Sequence, residues 1–165
     1  MEKTTKEVLE LPAAVSCLYA TGLTRDQLQK PIIGIIYSPN RITPGHLNLE
    51  KLADKVAEGV LVANGTPIKM TAGVGVCDGI AMGHEGMKYS LPSRELNADC
   101  VEDIVRSHGI FSGIALIGAC DKNIPGYLMA AARLDMPTIF VTPGPMMPGY
   151  TCIGVSDVIT AFTAD

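Results

Sequence analysis

The chain has 165 residues, of which 47% are hydrophobic and only 18% charged, a size that suits one domain, or a piece of a larger one, with a real core. So thin a charged complement leaves apolar surface for a partner. The formal charge of -4 and the lack of any Lys/Arg cluster exclude a nucleic-acid footprint, which needs concentrated positive charge to displace counterions.

Residues 1–30 read as an N-terminal helical arm, with one helix predicted around Glu7 to Tyr19 and another around Thr24 to Gln29 that Thr24 caps. The opening Met1-Glu2-Lys3-Thr4 has no apolar signal core, and the apolar stretches are too short to cross a bilayer, so no membrane association is expected. Five cysteines, at 17, 77, 100, 120 and 152, are odd in number and form no Cys-x-x-Cys pair. They do not read as a disulfide framework, which fits a cytoplasmic protein with reduced thiols.

Residues 31–165 read as an α/β domain. Pro31 to Tyr37 is nearly all apolar and branched, the mark of a strand covered on both faces. Leu47 to Ala63 carries Leu49, Leu52, Val56, Val60 and Ala63 at helical spacing, and Asn64-Gly65 ends it. A second strand is predicted over Pro67 to Val76. The Gly-rich stretch Cys77 to Pro92 reads as a long functional loop. A helix capped by Ser93 follows, with Leu96, Cys100, Val101, Ile104 and Val105 as its buried stripe. Ile110 to Gly118 is predicted as strand three, Pro125 to Leu134 as a helix, and Thr138 to Val141 as strand four. Pro143 to Gly149 reads as a stiff turn and Ser156 to Phe162 as a last helix. Strands alternating with helices predict an α/β fold: a three-layer α/β/α sandwich with a mainly parallel sheet of about four strands.

In an open parallel sheet, ligands sit beyond the carboxyl ends of the strands. That rim collects Asn40, Thr43 and His46 after strand one; Cys77, Asp78, His84 and Glu85 after strand two; Cys120, Asp121 and Lys122 after strand three; and Thr142 and Gly144 after strand four. A thiolate suits soft metals and iron–sulfur clusters, whereas carboxylates suit magnesium or manganese. Asp78 and Asp121 each follow an apolar strand, and two carboxylates brought close repel unless a cation or proton lies between them. The bland alternative is a buried cysteine beside helix-capping aspartates. Lys122 admits three readings: a counter-cation, a solvent-facing residue, or a carbamylated anionic ligand. His46 and His84 read as satisfied loop histidines, and Cys17, Cys100 and Cys152 as inert.

Two long segments carry a resemblance. Cys77-Asp-Gly-Ile-Ala-Met-Gly-His-Glu-Gly-Met-Lys-Tyr-Ser-Leu-Pro-Ser-Arg-Glu-Leu96 and Gly118-Ala-Cys-Asp-Lys-Asn-Ile-Pro-Gly-Tyr-Leu-Met-Ala-Ala-Ala-Arg-Leu134 resemble the two signatures of the dihydroxy-acid and sugar-acid dehydratase family. Lys30 to Gly34, the Thr43-Pro-Gly-His46 turn and Met136 to Val141 are similar too. The resemblance implies a hydro-lyase that removes water from a 2,3-dihydroxy-3-methyl carboxylate to give a 2-keto acid in branched-chain amino-acid synthesis, using an iron–sulfur cluster (2Fe-2S or 4Fe-4S) and Mg2+. By that resemblance Cys120 is a cluster ligand, Asp78 and Asp121 are magnesium ligands, and Lys122 is the lysine carbamylated to complete the magnesium site.

Departures from the family pattern accompany the match. Some relatives place a further cluster cysteine where this chain has Gly45, and Tyr37, Gly118-Ala119 and Thr142-Pro143 replace the usual residues. The family's Gly-Ser-Cys segment and its C-terminal domain with the serine base have no counterpart in these residues. The expectation is an N-terminal portion, inactive alone, that is completed by the remainder of the enzyme or a second subunit and associates as a homo-oligomer. The alternatives are a non-catalytic α/β partner-binding module and a fragment of a phosphogluconate-type dehydratase.

Overall fold

The computed structural model describes residues 7–146; the predicted helix Ser156 to Phe162, Cys152 and the end of the Pro143 to Gly149 turn lie outside them. Four strands, β1 (Ile32–Tyr37), β2 (Thr66–Thr71), β3 (Gly113–Ile117) and β4 (Thr138–Val141), form one sheet in the order β2-β1-β3-β4. Every pairing is parallel, with Ile35 opposite Lys69 on one side and Ala115 on the other. β3 is buried along its whole length, as expected of an apolar strand covered on both faces.

Alternation along β1 and β3 divides the core in two. Ile32, Ile36, Ile114 and Leu116 face one side, where they pack with Val101, Val105, Tyr127, Ala130 and Leu134. Ile35, Tyr37, Ala115 and Ile117 face the other, against Leu49 and Ala53. Helix α3 (Leu49–Val62) therefore covers one face, and α5 (Ser90–His108) with α6 (Asn123–Leu134) covers the other. Lys69 on β2 reaches Glu50 at 2.7 Å and Asp54 at 2.6 Å, pinning α3 to the sheet.

The arm is not one continuous helix up to Tyr19. Residues 7–9 make a helical turn and α1 (Pro12–Ala20) then starts afresh. Leu11 is extended at φ -83, ψ 115 because a residue before proline is driven out of the helical region. α2 (Arg25–Leu28) opens with the Thr24 cap and a reciprocal Gln27 contact. Leu28 enters the core, and Val8, Leu9, Val15, Leu18 and Leu23 pack against it.

Two further expectations change. β2 stops at Thr71 rather than continuing to Val76, because Gly73 turns the chain at φ +85. The Cys77 to Pro92 stretch is not all loop: it holds α4 (Asp78–Ala81) and a 3-10 segment Glu85–Tyr89, and α5 begins at Ser90. Pro92 is accommodated in the first turn of α5, where a missing N–H costs nothing. Ser93 is not the cap: it is buried and donates to the Ser90 carbonyl at 2.6 Å.

The buried stripe of α5 consists of Ser93, Asn97, Ala98, Val101 and Val105, whereas Leu96 and Cys100 are exposed. A polar stripe is tolerated because its groups are bonded, and small residues let α6 approach closely. A Cβ on Gly126 would lie 2.6 Å from the Arg94 carbonyl oxygen and 2.7 Å from Asn97 Cβ. Gly126→Ala is therefore expected to force the two helices apart and destabilise the fold by about 1–3 kcal/mol, read as a lower urea midpoint at unchanged slope.

Candidate functional site

The helix following β1 lies on one face of the sheet and the helix following β3 on the other, although the two strands are neighbours. Their connections part there, leaving a crevice at the carboxyl edge, the usual ligand position in such sheets. The turn Pro44–His46 enters it from β1, Cys77 and Asp78 from β2, and Cys120 to Lys122 from β3.

A polar scaffold buried beneath this crevice fixes the three turns. Asn97 is fully buried; its Oδ1 accepts from the Val74 N–H at 2.8 Å and the Asn123 amide at 3.1 Å, and its Nδ2 donates to the carbonyls of Val74 at 3.0 Å and Ser93 at 2.7 Å. Asn123 also donates to Ser38 Oγ at 3.2 Å, and its Oδ1 accepts from the Ala119 N–H at 3.2 Å. His46 is fully buried, with its ring nitrogens 2.5 Å from the Ser38 carbonyl oxygen and 3.2 Å from that of Ala119. Thr43 donates to the Gly75 carbonyl at 2.9 Å. Among the described residues no buried side-chain polar atom lacks a partner. His46 is thus a satisfied histidine, but a structural one that ties the turn after β1 to the peptide before Cys120.

That tie matters because Cys120 adopts φ +71. Among the described residues, the other positive-φ residues without glycine's freedom are Asn64 and Asp135, types that tolerate the left-handed region; cysteine does so at a cost. The peptide before Cys120 is held through Ala119 from both sides, and the Cys120 carbonyl accepts from the Ile124 N–H at 3.3 Å. Gly45 lies directly against the thiol: a Cβ there would be 3.4 Å from Cys120 Sγ. Burial pushes the Cys120 thiol above its ordinary pKa, the nearby Cys77 and Asp78 push it further, and a backbone N–H from Gly45 offsets part of this.

Lys122 brings the two aspartates together. Its Nζ donates to Asp78 Oδ2 at 3.0 Å and also to Asp121 Oδ2. Asp78 is largely covered and Asp121 largely exposed, with side-chain exposures of 17% and 66%, so the triad opens to solvent on the Asp121 side. Burial pushes the Asp78 carboxyl up, but the hydrogen bonds it accepts from Ser90 and Lys122 outweigh this and hold the group below the usual carboxylate range. The Asp121 and Asp78 carboxylates in turn raise the Lys122 ammonium above its ordinary value. Ser90, which donates to Asp78 Oδ1 at 2.5 Å, was not singled out in the sequence because it falls in the stretch read as loop, ahead of the helix start assigned to Ser93.

Other rim residues stay apart from this group. His84 accepts from the Gly86 N–H at 2.9 Å and lies 3.0 Å from the Ile80 carbonyl oxygen, and Glu85 pairs with Lys88. Among the described residues, no three His, Cys, Asp or Glu side chains converge into a closed metal site. What the crevice offers is a partial donor set: carboxylate oxygens already gathered around one positive charge, beside a half-buried sulfur. Such a set fits a hard cation and a soft metal, each needing further donors.

A family profile described as dihydroxy-acid/6-phosphogluconate dehydratase N-terminal matches residues 30–164. The chain belongs to this dehydratase family. It is 52% identical to dihydroxy-acid dehydratase 1 of Methanosarcina acetivorans over 95% of the chain and 28% of that relative. It is 54% identical to the dihydroxy-acid dehydratase of Pyrococcus abyssi over 88% of the chain and 26% of the relative, and 58% identical to that of Halothermothrix orenii over 81% and 24%. The chain thus spans about a quarter of the length of these dehydratases.

Because Asp78 titrates below its unfolded value, its bonds contribute stability that is present above about pH 4 and lost as pH falls through the lower folded pKa. Asp78→Asn should therefore lower the melting temperature by a few degrees at neutral pH and flatten the acid limb of the stability curve, as measured by thermal melts from neutral to acid pH. Asn97→Leu leaves the Val74 peptide without partners and should destabilise by about 2–4 kcal/mol, read by urea denaturation.

Proposed function

We propose that the chain is the N-terminal part of a dihydroxy-acid dehydratase, a cytoplasmic hydro-lyase converting 2,3-dihydroxy-3-methyl carboxylates into 2-keto acids in branched-chain amino-acid synthesis. The observation that carries this reading is the single amine of Lys122 between Asp78 and Asp121, next to Cys120 on its left-handed turn. The kinship with dihydroxy-acid dehydratases over most of the chain supports it.

In this reading Asp78 and Asp121 are oxygen donors for Mg2+, and Cys120 is a sulfur donor for an iron–sulfur cluster of 2Fe-2S or 4Fe-4S type. When bound, magnesium offsets the charge that builds on the substrate carboxylate as the neighbouring proton leaves, while cluster iron acts as a Lewis acid toward the departing 3-hydroxyl. Lys122 joins the magnesium donors as a carbamate. Its nitrogen must first lose the proton that the two carboxylates retain; it then adds carbon dioxide and releases a second proton, turning a cation into an anion. Ser90 orients Asp78 by occupying one carboxylate oxygen and leaving the other for the crevice. His46 and Asn123 hold the Cys120 turn and touch no substrate.

The catalytic base, further cluster thiolates and the remaining magnesium donors are assigned to the rest of the enzyme, which covers this rim. Exposed apolar residues beside it, among them Ile80, Met82, Tyr89 and Leu91, support such a contact and association into a homo-oligomer. The test joins this chain anaerobically to the C-terminal portion of a related dehydratase with iron, sulfide and magnesium, and assays 2-keto acid formation from 2,3-dihydroxy-3-methylbutanoate. Activity is expected, with Cys120→Ser and Asp78→Ala each reducing it by at least about a hundredfold. A loaded, assembled protein that forms no keto acid would overturn the reading.

A further inference from the structure

We propose that Cys77 is a second sulfur donor in the same crevice, so that this chain presents two thiolates, Cys77 and Cys120, to the iron–sulfur cluster; this rests on the function proposed above. Cys77 immediately precedes Asp78, whose carboxylate is 3.0 Å from Lys122 Nζ, and Lys122 stands two residues beyond Cys120. One ion pair therefore ties together the turns that carry the two cysteines. Both thiols are free and partly covered, unlike the exposed Cys17 and Cys100.

Nothing local accounts for a cysteine at position 77. It occupies the cap position of α4, yet its side chain makes no capping bond, and serine, threonine, aspartate or asparagine would serve a cap better. It belongs to neither apolar core cluster. On the opposite wall, Gly45 presents no side chain to Cys120, and a Cβ there would already lie 3.2 Å from Ala119 Cβ and 3.4 Å from the Cys120 sulfur. The turn after β1 thus packs against the sulfur without adding a side chain, and the Asp78–Lys122 ion pair fixes the turn that carries the second thiol beside it. Two thiolates from one rigid rim hold a soft metal far better than one, because the second binds without a separate loss of freedom.

The test uses the anaerobically assembled holoprotein with Cys77→Ser, Cys77→Ala, Cys120→Ser and, as control, the exposed Cys100→Ser. Iron and sulfide per chain and the electron paramagnetic resonance spectrum of the reduced cluster are read, together with the thiolate-to-metal absorbance of Cd2+ titrated into the reduced 165-residue chain. Cys77→Ser supplies a favoured cap, so its melting temperature should be unchanged or higher, and any cluster defect then reports ligation rather than unfolding. The expected result is an altered spectrum and lower iron content in Cys77→Ala and Cys120→Ser, with the Cd2+ absorbance falling by roughly half in each. If Cys77→Ala keeps the unsubstituted spectrum, iron content and Cd2+ absorbance while Cys120→Ser loses them, the second donor is refuted and the dehydratase reading stands. If the unsubstituted assembly takes up no cluster, both fall.

Discussion

Asn97 is the point on which the architecture of the crevice depends. A single buried amide joins the peptide of the loop after β2, the first turn of α5 and the side chain that starts α6. The Val74 N–H and carbonyl lie where regular structure has ended, and covering them unpaired would cost more than the loop gains by packing there. The network turns that liability into rigidity. Through Asn123, Ser38 and His46 it extends to the turn after β1 and to Ala119, so that three chain segments far apart in sequence share one frame.

Rigidity of this kind is what a partial donor set requires. The Lys122 amine and the two carboxylates are held at the edge of that frame, where Asp78 is covered and Asp121 meets water. The amine neutralises one of the two carboxylate charges, and its position between them weakens the repulsion that would otherwise drive the acidic groups apart. The same balance sets an order of events: the amine has to surrender its proton before it can become anything other than a counter-ion. The family match spans residues 30–164, a stretch that contains all the residues of this rim.

Much of this was legible in the sequence, and the reasons differ by element. β1 and β3 announced themselves because a strand covered on both sides has no choice but to be apolar, and Thr24 could be recognised as a cap from its residue type at the head of a short helix. Asp78, Cys120, Asp121 and Lys122 stood out because hard and soft donors rarely follow apolar strands without cause. The polar face of α5 was hidden. Ser93 and Asn97 look like surface residues, and only the partner loops show that they are interior, so Leu96 and Cys100 were assigned to the wrong side. His46 was rightly read as a satisfied histidine, but which groups satisfy it was hidden, since the carbonyls it meets carry no mark in the side-chain sequence. The short α4 and the early start of α5 were obscured by glycines and by Pro92, which a first helical turn accommodates.

The left-handed backbone of Cys120 has a bearing on protein engineering. A tripeptide of cysteine, aspartate and lysine grafted onto the strand end of an unrelated parallel sheet would keep the chemistry of its side chains but not their directions. Without a counterpart to the clasp on Ala119, the graft would relax to an ordinary right-handed turn and its sulfur would swing off target. Moving such a centre between scaffolds therefore means transplanting the supporting histidine and asparagine along with it.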